Sequence, residues 1–185
     1  MTKVKVGKIT NLSEARYCAG MGVDFLSFPM SEINPKIYQE ITGWVAGPEF
    51  GVEIGQQELS AATQYGANFI EVTTDQLAPS PSGEKLLVCV AGKDWADHQD
   101  LLDANIHQIW AIELHFDELD AKAERIINRC ADQFKVFIHM HELTDVDALL
   151  ALPLFGISLD GDAETKPGLK EYRLAAILER LEAED

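Results

Sequence analysis

The residues best suited to acid–base chemistry are ionisable side chains that end short apolar runs. Glu113 and His115 end one run, and His139 and His141 end the next, in each case two residues apart. Successive side chains on a strand alternate in direction, so residues two apart point to the same side. Lys5 lies in the first apolar run. Carboxylate, imidazole and ammonium groups on one side of a sheet suit proton transfer or, for some of them, metal binding.

Three interpretations of these polar residues remain open. In the first, Lys5 forms a buried ion pair with a glutamate, because buried charges are normally paired. In the second, Glu113 is the general acid of an acid–base site. Its base is then Lys5, Lys8 or His139; a lysine base needs its pKa lowered by burial, and a histidine does not. In the third, a divalent metal is held by His139, His141, Glu113 and His115.

The elements that must position these side chains are eight short apolar runs, each followed by a helical pattern or a turn. This alternation predicts a single domain, residues 1–185, folded as a (β/α)8 TIM barrel that is small and has shortened loops. An open doubly wound sheet is the alternative. The predicted strands cover residues 4–6, 23–28, 50–54, 69–72, 86–90, 108–114, 135–139 and 155–159.

The helical patterns complete seven of the eight units. Asn11 is the expected cap of the first helix, and Asn34 with Pro35 opens the second. The segment APSPSG at 78–83 leaves no room for a full fourth helix, so that unit is predicted to be eroded. The predicted helices cover residues 12–21, 35–42, 57–65, 95–104, 119–131, 146–152 and 169–181.

The composition restricts the partners of the chain. It has 15 basic and 31 acidic residues and a net charge of −16, which disfavours nucleic acid. A small phosphorylated metabolite remains an expected partner, since backbone N–H groups can bind one anion in an acidic protein. No membrane segment, cofactor or resident metal is expected, and no particular oligomeric state is predicted. Cys18, Cys89 and Cys130 are widely spaced and are interpreted as reduced core thiols of a cytoplasmic protein.

Both ends of the chain resemble the phosphoribosylanthranilate isomerase family. The stretch VKVGKITN at 4–11 is similar to the family's first strand, VKICGITN, and ISLDGDAE at 157–164, followed by KPGLKE, is similar to its last strand and phosphate loop. The stretch FGVE at 50–53 is similar to the third strand. The resemblance implies a small (β/α)8 barrel of tryptophan biosynthesis that catalyses an Amadori rearrangement of a phosphoribosylamine.

The resemblance also implies a set of site residues. The family's base, a cysteine, aligns with Gly7, and Lys8 stands where the family has glycine. If Gly7 faces the mouth as that cysteine does, strand alternation points Lys5 inward, one layer deeper. The family's acid, an aspartate, aligns with Glu113. The phosphate is expected near the last strand. The residues implied there are Gly161, Asp162 and Ala163.

Two further segments depart from the family's pattern. The family's Ser-Pro-Arg-Tyr segment after the second strand is contracted to residues 29–34, and its Gly-Gly pair after the seventh strand is replaced by residues 139–141. We therefore expect a diverged barrel that binds a small phosphorylated sugar derivative and carries out aldose–ketose isomerisation if it is active. The alternatives are an inactive ligand-binding or interaction barrel, and a metal-binding barrel that uses His139 and His141.

Overall fold

The chain folds as a closed barrel of eight parallel strands. The computed structural model describes residues 2–77, 83–139, 146–161 and 179–180. Each strand pairs in parallel with the next, and the eighth pairs with the first to close the barrel. All eight predicted strands are confirmed, and so is the (β/α)8 fold class. The strands are β1 Lys3–Gly7, β2 Phe25–Pro29, β3 Glu49–Glu53, β4 Phe69–Thr73, β5 Lys85–Ala91, β6 Ile109–His115, β7 Val136–His139 and β8 Gly156–Asp160.

The helices follow the predicted caps. The Asn11 side chain accepts a hydrogen bond from the Glu14 backbone N–H at 2.9 Å, and Asn34 accepts one from Ile37 N–H at 3.0 Å, immediately before Pro35. The helices in the described residues are α1 Leu12–Gly20, α2 Pro35–Thr42, α3 Leu59–Ala62, α4 Trp95–Ala104, α5 Ala121–Ala131 and α6 Val146–Leu150.

Two predicted helices differ from the structure, and a third cannot be compared. The third helix spans only Leu59–Ala62. At its start Glu58 makes no side-chain cap, and the turn that follows it contains Gly66, which has a positive φ. The described part of the fourth unit holds a 3-10 turn at Thr74–Gln76 and no α-helix, as predicted. The sixth helix ends at Leu150 rather than 152. Most of the last predicted helix, residues 169–181, lies outside the described residues.

An extra residue in β6 decides which of its side chains face the barrel interior. Leu86 of β5 pairs with Ile109, whereas the next residue, Leu87, pairs with Ala111. Trp110 is therefore the additional residue, a β-bulge that changes the register of the two strands. From Ala111 onward, alternate residues of β6 face the interior beside those of β5.

The lower half of the barrel interior is filled by aromatic rings. Phe25 packs edge-to-face against Phe69 and Phe137, with ring centroids 6.0 and 5.7 Å apart. Gly51 leaves the space that one of these rings occupies, because a Cβ there would lie 2.3 Å from the Phe69 ring. Gly156 does the same for Phe137, at 2.5 Å. This packed layer is the floor beneath the polar residues of the upper half.

Gly51→Ala is expected to destabilise the protein by about 3 kcal/mol, because the added methyl group must displace a buried phenylalanine ring. The measurement is urea unfolding followed by circular dichroism. Gly20→Ala is the control: a Cβ at Gly20 meets nothing within 4 Å, and alanine favours the helix. Equal stability of Gly51→Ala and the wild type would contradict the described packing.

No helix in the described part of the chain is long and apolar enough to cross a membrane.

Candidate functional site

A buried lysine lies at the centre of the barrel, directly above the phenylalanine layer. Lys5 is 2% exposed, and its Nζ lies 2.8 Å from Glu71 Oε1 and 2.9 Å from Glu113 Oε2. Nζ also donates a hydrogen bond to the Ser158 hydroxyl at 3.2 Å. The first interpretation, a buried ion pair between Lys5 and a glutamate, is confirmed with Glu113, and Glu71 is a second carboxyl group in contact with Nζ.

The three ionisable groups of this cluster, Lys5, Glu71 and Glu113, differ in protonation. Burial by itself lowers the pKa of Lys5, but attraction to Glu113 and Glu71 outweighs it and holds that pKa well above its usual value. Burial by itself raises the pKa of Glu113, but Lys5 and two histidines hold it well below its usual value. Burial raises the pKa of Glu71 to about 8, and Lys5 reverses only part of that effect. Near neutral pH the cluster therefore contains one ammonium, one carboxylate and one protonated carboxyl group.

Two imidazoles contact the same oxygen of Glu113. His115 Nε2 lies 3.0 Å and His139 Nδ1 3.4 Å from Glu113 Oε1, and the two rings stack with centroids 4.5 Å apart. His139 Nε2 faces Asp160 Oδ2 at 3.7 Å. The structure thus brings Glu113 and His139 together, as the strand alternation predicted, whereas His141 lies outside the described residues. The role of Glu113 as an acid stays a prediction; its contacts and lowered pKa favour an ionised group that orients the two rings.

Lys8 lies at the rim of the barrel mouth. Its ammonium group pairs with Asp160 at the end of β8, and the hydrogen bond to Asp160 raises the pKa of Lys8. Its φ is +55°, a left-handed conformation that glycine adopts more easily. Its role as a base stays a prediction, and the raised pKa favours a permanent cation at this position instead.

The space beside Gly7 is bounded by a carboxylate. A Cβ at Gly7 would lie 3.1 Å from Glu53 Oε1, 3.2 Å from Ser27 Oγ and 3.5 Å from Lys5 Nζ. Glu53 Oε1 accepts hydrogen bonds from the Ser27 hydroxyl at 2.8 Å and from the Lys8 backbone N–H at 2.6 Å. In the sequence Glu53 is only the last residue of the FGVE stretch at 50–53, near the end of a predicted strand. Its position next to Gly7 depends on how β1, β2 and β3 are staggered.

The predicted phosphate site is described only at its first residue. The Gly161 N–H donates a hydrogen bond to the Gly7 carbonyl at 2.7 Å, so it is already engaged. A Cβ at Gly161 would lie 2.5 Å from Glu14 Oε1, which explains why glycine is needed there. Asp162 and Ala163 lie outside the described residues. Phosphate binding at this loop stays a prediction, and N–H groups beyond Gly161 would have to provide it.

The cysteines fall into two kinds. Cys18 and Cys130 are buried in the core between strands and helices, and burial raises the pKa of each to about 12, as expected for core thiols. Cys89 instead faces the barrel interior, where one ligand atom from each of Cys89, Glu113 and His115 lies within 4.8 Å of the others. Cys89 is a free thiol that packs against the phenylalanine layer, and burial raises its pKa well above the usual value, so it is a core thiol that also borders the polar cluster. The signal in the sequence was its place one residue before the end of a strand, two positions after inward-facing Leu87.

The closed parallel barrel, with polar side chains converging at the carboxyl ends of its strands, defines a (β/α)8 barrel with a candidate active site at its C-terminal mouth. Comparisons of the sequence with protein-family models and with curated proteins find no match. Comparison with solved structures finds proteins that have the same fold.

The similar structures include phosphoribosylanthranilate isomerases over their full length. The enzyme from Thermotoga maritima has a TM-score of 0.75 and 15% sequence identity, covering 97% of this chain and 98% of its own. An isomerase in complex with reduced 1-(o-carboxyphenylamino)-1-deoxyribulose 5-phosphate has a TM-score of 0.75 and 15% identity, covering 99% and 100%. Orotidine 5'-monophosphate decarboxylase from Sulfolobus solfataricus has a TM-score of 0.72 and 10% identity, covering 99% of both chains. The chain thus has the fold of the phosphoribosylanthranilate isomerases.

Proposed function

We propose that the protein is an acid–base isomerase of the aldose–ketose type that acts on a small phosphorylated sugar derivative bound in the barrel mouth. The observation that carries this proposal is the position of Glu53: its Oε1 lies 3.1 Å from where a Gly7 side chain would begin. In the resembling family that side chain is the cysteine base. A carboxylate thus stands next to the place of the missing thiol.

The walls of the mouth provide two groups for proton transfer. Glu53 ends β3 and His139 ends β7, four strands further round an eight-stranded barrel, so the two side chains come from opposite walls. An aldose–ketose rearrangement needs a base that removes the proton from C2 and an acid that protonates the ring oxygen. We assign Glu53 as the base and His139 as the acid. Glu113, 3.4 Å from His139, orients the imidazole.

The substrate class is supported by the similar structures and by Lys8. The solved structures named above include enzymes of phosphorylated ribose compounds, one of them with a ribulose 5-phosphate compound bound. Lys8 carries a cation next to Asp160 at the end of β8, immediately before the segment in which the resemblance implies a phosphate site. A phosphate at this position would compete with Asp160 for that ammonium group.

The experiment measures turnover of N-(5'-phosphoribosyl)anthranilate, and calorimetric binding of reduced 1-(o-carboxyphenylamino)-1-deoxyribulose 5-phosphate, by the purified chain. Glu53→Gln is expected to lower turnover at least a hundredfold, the usual contribution of a general base, with binding of the reduced compound little changed. Glu49→Gln is the matched control, because Glu49 lies on the same strand at the opposite end of the barrel, paired with Lys85 at 3.2 Å.

Each other outcome contradicts a definite part of the proposal. Turnover that survives Glu53→Gln but not His139→Gln would make His139 the base, which is one of the three bases left open by the sequence. Binding of the reduced compound without any turnover would support the inactive ligand-binding barrel. The absence of both binding and turnover would reject the phosphorylated sugar as the ligand class. A tryptophan auxotroph that lacks the isomerase provides the corresponding growth test.

A further inference from the structure

Metal-ligating side chains of β5 and β6 converge at the barrel mouth. Cys89 pairs with Glu113 in the register of the two strands, and Ala91 pairs with His115 two residues further on. One ligand atom from each of Cys89, Glu113 and His115 lies within 4.8 Å of the other two. Ligand atoms around a tetrahedral metal lie about 3.2 to 3.7 Å apart, so small side-chain rotations suffice to close this set.

Two atoms of this set are already close together. His115 Nε2 and Glu113 Oε1 are 3.0 Å apart, and His139 Nδ1 approaches the same oxygen at 3.4 Å. His139 is therefore placed next to the three candidate ligands. The other oxygen of Glu113 is held by Lys5 at 2.9 Å, which fixes the direction in which Oε1 points.

The donor types select a class of metal. Thiolate and imidazole ligands favour zinc-like transition metals, whereas magnesium and calcium take oxygen ligands almost exclusively. Three protein ligands leave one position for a fourth ligand or for water, as in catalytic rather than structural zinc sites.

One edge of the site borders a surface cleft. The His115 side chain is 32% exposed, and it lines a surface cleft of about 380 Å³ together with Ala91 and Phe116. Cys18 and Cys130, in contrast, are buried at 2% and 1% exposure in the core outside the barrel interior. Of the three candidate ligands, His115 alone lines this cleft, and Cys89 is the cysteine whose sulfur lies within 4.8 Å of a His115 ligand atom.

We propose that Cys89, Glu113 and His115 bind a divalent transition metal of the zinc class at the mouth of the barrel. This inference goes beyond the proposed isomerase function and does not depend on it. The set differs from the one expected from the sequence, because Cys89 on the neighbouring strand is a ligand and His141 is not required.

The test is a titration of the tag-free, chelator-stripped full chain with Co²⁺, which replaces zinc in such sites and is visible in absorption spectra. We expect one equivalent to bind and to produce a sulfur-to-cobalt charge-transfer band in the near ultraviolet. Cys89→Ala should abolish the band, whereas Cys18→Ala, the matched control, should keep it. Zn²⁺ should raise the melting temperature of the wild type and of Cys18→Ala but not of Cys89→Ala.

The proposal is overturned if the wild type shows no such band, if Cys89→Ala keeps it, or if Cys18→Ala loses it. A second variant decides the matter if Cys89→Ala does not fold. His115→Gln should keep the sulfur band and weaken Co²⁺ binding at least tenfold; unchanged affinity would overturn the site. All of these readouts are independent of isomerase turnover, so failure of the metal site and failure of the proposed function are distinguishable.

Discussion

Lys5→Met is expected to lower the free energy of unfolding by about 3–5 kcal/mol, because it leaves a buried carboxylate without its cation. Glu113 is 2% exposed and lies 2.9 Å from Lys5 Nζ, and the remaining contacts from two histidines do not replace a full positive charge. Methionine fills about the same volume, so loss of packing contributes little. The measurement is urea denaturation at pH 7 in buffer with chelator.

Lys3→Met is the matched control, since Lys3 lies two residues earlier on the same strand. Lys3 also forms an ion pair, with Asp24 at 2.7 Å, but the two side chains are 38% and 26% exposed. Exposed pairs contribute at most about 1 kcal/mol, so this variant should remain close to the wild type. Adding Glu113→Gln to Lys5→Met should restore part of the lost stability. Equal effects of Lys3→Met and Lys5→Met would show that charge burial is not what makes Lys5 important.

Glu71→Gln is expected to change how stability depends on pH. Burial raises the pKa of Glu71 in the folded protein to about 8, from its usual value of 4.5. Between these two values the folded state holds a proton that the unfolded state has lost, so the free energy of unfolding falls as pH rises through this window. Each pKa unit corresponds to about 1.4 kcal/mol, which gives a difference of about 5 kcal/mol across the window. Glutamine resembles the protonated carboxyl group and does not titrate, so the variant loses this dependence.

The measurement is the free energy of unfolding of wild type and variant from pH 5 to pH 9, with chelator present. The variant should gain stability relative to the wild type steadily as pH rises, with most of the gain complete by pH 8. Glu49→Gln is the control, because the Glu49 side chain is 45% exposed and pairs with Lys85. This variant should follow the wild type at every pH. Parallel curves for Glu71→Gln and the wild type would mean that Glu71 is ionised in the folded protein.

The fold was largely predictable because its signals are local. Apolar runs of strand length alternate with helical patterns, and the caps Asn11 and Asn34 form the predicted hydrogen bonds. The fourth unit lacks an α-helix in the described residues, as the segment rich in proline and serine indicated. The third helix was predicted too long, because its apolar pattern continues past Ala62 whereas the backbone there forms turns, with the Tyr65 N–H donating to the Ala62 carbonyl three residues earlier at 3.0 Å.

The candidate site was predictable in part. Lys5, Glu113 and His139 were correctly placed inside the barrel, because a two-residue period fixes which residues share a side and the family resemblance placed Gly7, and so Lys5, on the inner side. It could not say which carboxylate Lys5 would meet, or that Cys89 would face Glu113. Those contacts join different strands, and the bulge at Trp110 changes the register between two of them.

The amino-acid sequence by itself determined the eight βα units, the caps of the first helices and the inward direction of the polar residues. These features follow from the periodicity and chemistry of neighbouring residues in the chain. The tertiary structure alone decided that Glu53 lies beside Gly7, that Lys5 is shared by Glu71 and Glu113, and that Lys8 pairs with Asp160. The physical reason is that distances across a closed barrel depend on the stagger and tilt of all its strands, which no single segment specifies.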